Sequence, residues 1–219
     1  MLKHLFQVLT AGVILAAFAE NANASTITVT SIGYGYDNVP MLLNGQTTPT
    51  EEYAVEILVN LGGAPYIAYC VDLFTEIGFA TYNTTVGDVS TYSHGGRLAW
   101  VYSTYAPGVT TNDEAAAIQL ALWDIVHDDG DGLSAGNIQV APTYSTTVIT
   151  RANDIIAASL GQSSTNASFL HNASLSTGAP AQTLITAYAA QVPEPSTTAL
   201  IGLGGTLTMF GWFRRKKQK

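Results

Sequence analysis

Basic residues are scarce in this chain, and lysine is missing from most of it. The 219 residues include eight lysines and arginines against sixteen aspartates and glutamates. Residues 25–191 contain no lysine and two arginines against fourteen carboxylates, a formal net charge of −12. Such a surface repels nucleic acid and anionic membranes. We therefore exclude nucleic acid as a partner and expect a neutral, polyhydroxylic or cationic one.

Cysteine is also nearly absent, since Cys70 is the single one in the chain. Exported domains generally use cysteines in pairs, as disulfides. An unpaired cysteine indicates either an intermolecular bond or a thiol with its own chemistry.

The first 24 residues have the features of a secretory signal peptide. A basic start precedes an apolar run over residues 5–18, and Ala22-Asn23-Ala24 forms a small-x-small cleavage site. The apolar run is too short for a membrane anchor. We expect cleavage after Ala24, so that Ser25 begins the mature protein.

Residues 192–219 contain three features in a fixed order. Val192, Pro193, Glu194 and Pro195 come first, then an apolar stretch over 199–213 and a basic cluster over 214–217. This arrangement resembles the PEP-CTERM sorting signal. The resemblance implies a Gram-negative source and an exosortase-type membrane transpeptidase as partner. It also implies transient attachment to the inner membrane through the C-terminal helix before processing.

The remaining stretch, residues 25–191, suits one domain. Residues 161–191 are rich in Ser, Thr, Ala and Asn, so we expect them to hold one strand at 183–189 and to serve partly as a spacer. Apolar and β-branched residues between turn signals predict three earlier strands, at 26–32, 53–60 and 66–73.

Helical periodicity follows the first strands. It predicts a short helix from Gly95 to before Pro107 and another over about 145–160. Between them, Thr111 and Glu114 form a capping box at the start of a helix that is apolar nearly all round and should be buried.

Two short motifs point to a specific chemistry. Cys70 follows Tyr69, and Gln119 lies in the segment Ile118-Gln119-Leu120-Ala121-Leu122-Trp123. Over residues 50–130 the chain here resembles the thioester domains of bacterial surface adhesins. In that family, a cysteine after an aromatic residue bonds to a glutamine in such a motif. The resemblance implies a Cys70 to Gln119 thioester. Together with the strand and helix pattern, it predicts an α+β fold, a sandwich or barrel-like β-rich scaffold with an inserted helical part.

The chemistry follows from the functional groups. A thiolate that adds to a carboxamide and expels ammonia leaves a thioester, which an amine then opens to form a stable amide. Apolar neighbours must keep bulk water away. We assign this shielding to Tyr69, Val71, Ile118, Leu122 and Trp123, and supporting roles to Asp72 and Asp124. The missing lysines fit, because a lysine-free domain offers no ε-amine that the thioester of a neighbouring copy would acylate. Compositional drift in a secreted chain of low charge explains their absence equally well.

Other interpretations of the same residues stay open. Cys70 as an inert buried thiol would make the chain a non-reactive structural protein of the matrix. His94 or His127 with Asp72 or Asp124 would give a Cys-His hydrolase. Asp128, Asp129 and Asp131 invite calcium, but without the alternation of an EF-hand we expect a solvated acidic turn.

The favoured hypothesis is an exported protein of the cell envelope or extracellular matrix. It attaches once, through the thioester, to an amine- or hydroxyl-bearing target. We expect no cofactor, no metal and no enzymatic turnover.

Overall fold

The computed structural model describes residues 24–187. The predicted signal peptide, apart from Ala24, and the predicted sorting tail at 192–219 lie outside the described residues. No helix within the described range is long and apolar enough to cross a membrane.

Residues 24–187 contain seven strands and three α-helices. The strands are β1 Ala24–Leu43, β2 Thr50–Leu61, β3 Ala64–Cys70, β4 Thr81–Gly87, β5 Ile138–Val140, β6 Ala167–Ser174 and β7 Pro180–Ala187. The helices are α1 Gly95–Tyr105, α2 Asn112–Asp128 and α3 Thr146–Ala158. Short 3₁₀ turns at Val89–Thr91 and Ala106–Gly108 flank α1.

The strands form one antiparallel sheet that closes on itself. The pairings run β1-β2-β3-β7-β6-β4 and back to β1, with β5 added beside the end of β1. β1 can pair with both β4 and β2 because it is long and bends at register shifts between Val29 and Ser31 and between Ile32 and Tyr36. A closed sheet has few unpaired edges, which fits a barrel-like scaffold.

The helical part lies between β4 and β6 in the chain and packs on the sheet. α1 contacts β6 and β7, while α2 contacts β1, β2, β3 and α3. The β-rich scaffold with an inserted helical part, predicted from the sequence, is therefore confirmed.

α2 is the central helix, and its start follows the predicted cap. The Thr111 hydroxyl accepts a hydrogen bond from the Glu114 N–H at 3.2 Å. The Glu114 carboxylate in turn accepts from the Thr110 N–H at 2.9 Å, one residue earlier than in a standard capping box. Every residue from Ala115 to Ile125 is buried. The polar residues in this stretch must therefore find their partners inside the protein.

The last part of the domain differs from the prediction. Residues 161–191 were expected to serve partly as a spacer, but β6 and β7 both belong to the closed sheet, and β7 pairs with β3 and β6. Both faces of these strands are covered, since the neighbours Phe169 and Leu170 of β6, and Leu184 and Ile185 of β7, are fully buried. Composition alone is a poor guide here, because polar residues such as Ser168 and Thr186 are buried in the same strands.

Candidate functional site

Cys70 is the last residue of β3 and is 4% exposed. Its Sγ donates a hydrogen bond to Oε1 of Gln182 at 2.9 Å. Burial raises the pKa of the Cys70 thiol, and the nearby Asp72 raises it further. The thiol is therefore protonated at neutral pH and is in direct contact with a side-chain amide.

Gln182 reaches Cys70 because of the register of two neighbouring strands. Cys70 is paired with Leu184 of β7, and Gln182 lies two residues along on the same face of the sheet. The Nε2 of Gln182 donates to the carbonyl oxygen of Asp72, while its backbone carbonyl accepts from Nδ2 of Asn172 at 2.8 Å. These bonds hold the amide with its carbonyl oxygen directed at the thiol.

Gln119 also contacts Cys70, but through the backbone. Its Oε1 accepts from the Cys70 N–H at 3.0 Å, and its Nε2 donates to the Cys70 carbonyl at 2.6 Å. Gln119 lies in the middle of α2 and is fully buried. The structure thus brings the two residues of the predicted pair together, with the Gln119 amide bonded to the Cys70 peptide groups and the thiol bonded to Gln182.

A cavity of about 530 Å³ opens beside the thiol and the Gln182 amide. Cys70, Gln182 and Trp123 line it, and its acidic wall consists of Glu51, Glu52 and Glu76. The indole N–H of Trp123 has no hydrogen-bond partner within the described chain, although the side chain is only 2% exposed. The cavity therefore has three carboxylates in its lining, together with Cys70, Gln182 and Trp123.

The glutamates of this wall influence each other. Burial raises the pKa of Glu52, and the charge of Glu76 raises it further. The Glu76 carbonyl also accepts a hydrogen bond from the Gln182 N–H at 3.3 Å, so the acidic wall is connected directly to the strand that carries Gln182.

The predicted shielding residues are all in the core. Tyr69 is fully buried on the opposite face of β3 from Cys70, and its hydroxyl donates to Glu56 at 3.2 Å. The other predicted shielding residues are each at most 2% exposed, namely Val71, Ile118, Leu122 and Trp123.

The two aspartates predicted to support the site have different surroundings. Asp72 contributes its backbone carbonyl to Gln182, while its carboxylate accepts from the Phe74 N–H and the Thr75 hydroxyl. The Asp124 carboxylate accepts from the Gly132 N–H at 3.3 Å and has no hydrogen bond to Cys70 or either glutamine. The Asp124 carboxylate is instead grouped with those of Asp128 and Asp131. Its contacts therefore give no support to the predicted role beside Gln119.

The histidines considered for a hydrolase are bonded elsewhere. His94 forms an ion pair with Asp129 at 2.9 Å. His127 accepts from the Leu73 N–H at 3.4 Å, and burial lowers its pKa. Among residues 24–187, neither histidine is hydrogen-bonded to the Cys70 thiol.

Gln182 is the site residue that the sequence analysis missed. Its signal is a polar residue in an alternating strand, since Gln182, Leu184 and Thr186 share one buried face of β7. A glutamine where an apolar residue is expected indicates a buried amide that needs a partner.

The tail matches a known family model. Residues 191–217 match the PEP-CTERM protein-sorting motif, which confirms the sorting signal predicted at 192–219. The motif indicates export and surface sorting, recognition by an exosortase at the membrane, and a membrane-associated tail in a Gram-negative bacterium.

Comparison of the whole chain with known proteins adds little more. No curated protein matches the sequence. Among solved structures, the N-terminal domain of the Streptococcus pyogenes pilus tip adhesin Cpa is similar, with 13% identity and a TM-score of 0.41. The match covers 74% of this chain and 98% of that domain. A similarity of this size does not establish a shared reaction.

Proposed function

We propose that this exported domain forms an internal thioester between Cys70 and Gln182 and uses it once to attach covalently to an amine on a target. The observation that carries the proposal is the 2.9 Å contact between the thiol and the side-chain carbonyl of Gln182 in a buried site. The amide carbon is bonded directly to that oxygen, so nucleophile and electrophile are already held together.

The reaction balances without a cofactor. The Cys70 sulfur adds to the Gln182 amide carbon, the thiol proton passes to the amide nitrogen, and ammonia leaves. An incoming amine then adds to the same carbon and expels the sulfur. The nucleophile's proton returns to sulfur, so the products are an amide to the target and a free thiol. Because the target stays attached, the domain acts once and does not turn over.

Gln119 has a positioning role in this proposal. Its two hydrogen bonds fix the peptide groups on either side of the Cys70 Cα, and therefore the direction in which the thiol points. For Gln119 to be the acyl donor, as the sequence motif predicts, its amide would have to leave both peptide groups. Each buried group left without a partner costs about 1–3 kcal/mol. We therefore favour Gln182 as the acyl donor and retain Gln119 as the alternative.

Trp123 supports the chemical step. Charge develops on the carbonyl oxygen as the sulfur or the amine adds to the carbon. Trp123 lines the same cavity as Cys70 and Gln182, and its indole N–H has no partner in the described chain, so we assign it as the donor to that oxygen.

The acidic wall favours an amine over a hydroxyl as the nucleophile. A primary amine arrives as an ammonium ion, which the carboxylates of Glu51, Glu52 and Glu76 attract. A carboxylate whose pKa is raised, as burial and Glu76 do for Glu52, is also a better acceptor for the proton that the amine must lose.

The intact mass of the purified exported chain tests the proposal. We expect the mass to be lower than the sequence mass by one ammonia, and methylamine to replace that loss with a methylamide. Fragmentation should locate the methylamide at residue 182. The variants Cys70→Ala and Gln182→Glu should have the unmodified mass and form no adduct.

Three other outcomes would decide against the proposal. A methylamide at residue 119 would make Gln119 the acyl donor. An unmodified mass with a freely alkylatable Cys70 would reject the thioester and favour the non-reactive matrix protein. Hydrolase turnover that depends on His94 or His127 would contradict the proposal that the domain reacts only once.

A further inference from the structure

The end of α2 carries an unusual group of carboxylates. Asp124 and Asp128 are four residues apart on one face of the helix, and the following loop returns Asp131 to them. One carboxylate oxygen from each of the three lies within 4.8 Å of the others.

The deepest of the three is not satisfied by the protein. Asp124 is fully buried, and its Oδ1 has no hydrogen-bond partner in the described structure. Its Oδ2 has a single long hydrogen bond, from the Gly132 N–H at 3.3 Å. Burial, together with the charges of Asp131 and Asp128, raises the pKa of Asp124 to about 6. A buried carboxylate without a partner costs several kcal/mol, which a bound cation offsets.

No basic side chain supplies that cation within residues 24–187. Arg97 lies nearby, but its guanidinium donates to the carbonyls of Asp129 and Ile156 and to the Ser159 hydroxyl. His94 pairs with Asp129, which is outside the group of three. The charge of Arg97 lowers the pKa of Asp124 without a hydrogen bond between the two side chains, so the free carboxylate oxygen still lacks a direct partner, which a bound metal ion supplies.

We propose that Asp124, Asp128 and Asp131 bind a calcium ion at the C-terminal end of α2. Hard oxygen ligands are the usual environment of Ca²⁺, whose bonds to oxygen measure about 2.3–2.6 Å. Three carboxylate oxygens that lie within 4.8 Å of one another can all bind one ion of this size. Mg²⁺ is smaller, with bonds of about 2.0–2.1 Å, and requires a nearly regular octahedron. The sequence analysis expected a solvated acidic turn here, and this proposal departs from that expectation.

The ion would fasten the loop after α2 to the helix that carries Gln119 and Trp123. Occupancy of the site therefore stabilises the wall of the cavity from the far end of the same helix. The inference rests on the carboxylates alone and does not depend on the thioester.

Thermal unfolding of the purified full chain, stripped with a chelator and titrated with Ca²⁺, tests the site. At a hundredfold excess over the dissociation constant we expect the Tm to rise by about 5–10 °C. Asp131→Asn should weaken binding by about tenfold or more, because it removes a charged ligand that has no other hydrogen bond in the described structure. Asp154→Asn, which changes an exposed aspartate on α3, should leave the titration unchanged.

Asp124→Asn gives an independent readout. It should abolish the response to Ca²⁺ and at the same time leave the calcium-free protein as stable as the parent or more so, since it removes a buried charge. No Tm shift at about 10 mM Ca²⁺, well above the weakest dissociation constants of extracellular calcium modules, would overturn the proposal. An equal shift in Asp131→Asn, or an equal shift with Mg²⁺, would overturn it as well.

Discussion

Two buried glutamines contact Cys70, and they use their amides in different ways. Gln119 on α2 bonds to the peptide groups of Cys70 through both its oxygen and its nitrogen. Gln182 on β7 directs its oxygen at the thiol and its nitrogen at the Asp72 carbonyl. The Gln119 amide supplies hydrogen-bond partners to the Cys70 backbone, whereas the Gln182 amide is in contact with the Cys70 thiol.

In the proposed reaction, this difference allows one cysteine to be held in position by one glutamine and to react with the other. β3 ends at Cys70, so its last peptide groups need partners from outside the sheet, and the buried helix supplies them through Gln119. The thiol is then free to face β7 and the cavity. Stability and chemistry are thus assigned to different glutamines, and substitutions can separate them.

The largest expected effect is a contrast between Gln119→Met and Gln182→Met, which keep similar side-chain volumes. Gln119→Met leaves two buried backbone groups without partners and should destabilise the fold by about 2–4 kcal/mol. Gln182→Met should abolish the methylamine adduct with a smaller loss of stability, because Gln182 is near the cavity and 7% exposed.

Denaturant unfolding and intact-mass analysis of both variants check this contrast. If Gln119→Met retained full stability, or if it lost the adduct while Gln182→Met kept it, the roles assigned to the two glutamines would be reversed.

The next largest effect is expected at Trp123, which lines the cavity beside Cys70 and Gln182. Trp123→Phe removes the indole N–H and keeps an aromatic ring, so it should slow reaction with methylamine by about 100-fold, as expected for the loss of one donor to a developing oxyanion. Trp100→Phe is the matched control, since Trp100 packs against Tyr105 on α1. Adduct formation followed by mass spectrometry gives the rates, and equal rates in both variants would remove Trp123 from the mechanism.

The smallest effect tests the acidic wall. A double variant, Glu52→Gln with Glu76→Gln, should slow the reaction with methylammonium by about tenfold, since each carboxylate attracts a nearby cation by about 1 kcal/mol or less in a solvated cavity. Hydroxylamine, which is mostly neutral at pH 7, should react at an almost unchanged rate. The double variant Asp113→Asn with Asp154→Asn, which removes two exposed carboxylates outside the cavity, controls for net charge. A parallel loss with both nucleophiles would mean that the glutamates do not select the amine.

Local sequence patterns predicted many of the strands and helices correctly. The strands predicted at 26–32 and 53–60 lie within β1 and β2, and the helices predicted at 95–106 and 145–160 match α1 and α3 closely. The prediction failed for β4, β5 and β6, whose mixed polar composition resembles loops. It also underestimated β7, because a strand inside a closed sheet is recognised by its neighbours more than by its own residues.

For the candidate site, too, the sequence predicted local features and missed contacts between distant residues. The sequence by itself determined that the protein is exported and sorted through its tail, that its domain lacks lysine, and that its single cysteine lies in a strand. These are properties of short segments or of composition, which need no knowledge of distant contacts.

The tertiary structure alone decided which amide faces the thiol and which carboxylates converge. Cys70 and Gln182 are 112 residues apart in the chain, and their contact depends on the register between β3 and β7. A shift of one residue would turn Gln182 to the other face of the sheet. Gln119 fits the thioester-domain motif in sequence, but α2 packs against the end of β3, so the Gln119 amide is hydrogen-bonded to the Cys70 backbone. Only the folded structure shows that the two glutamines contact Cys70 in different ways.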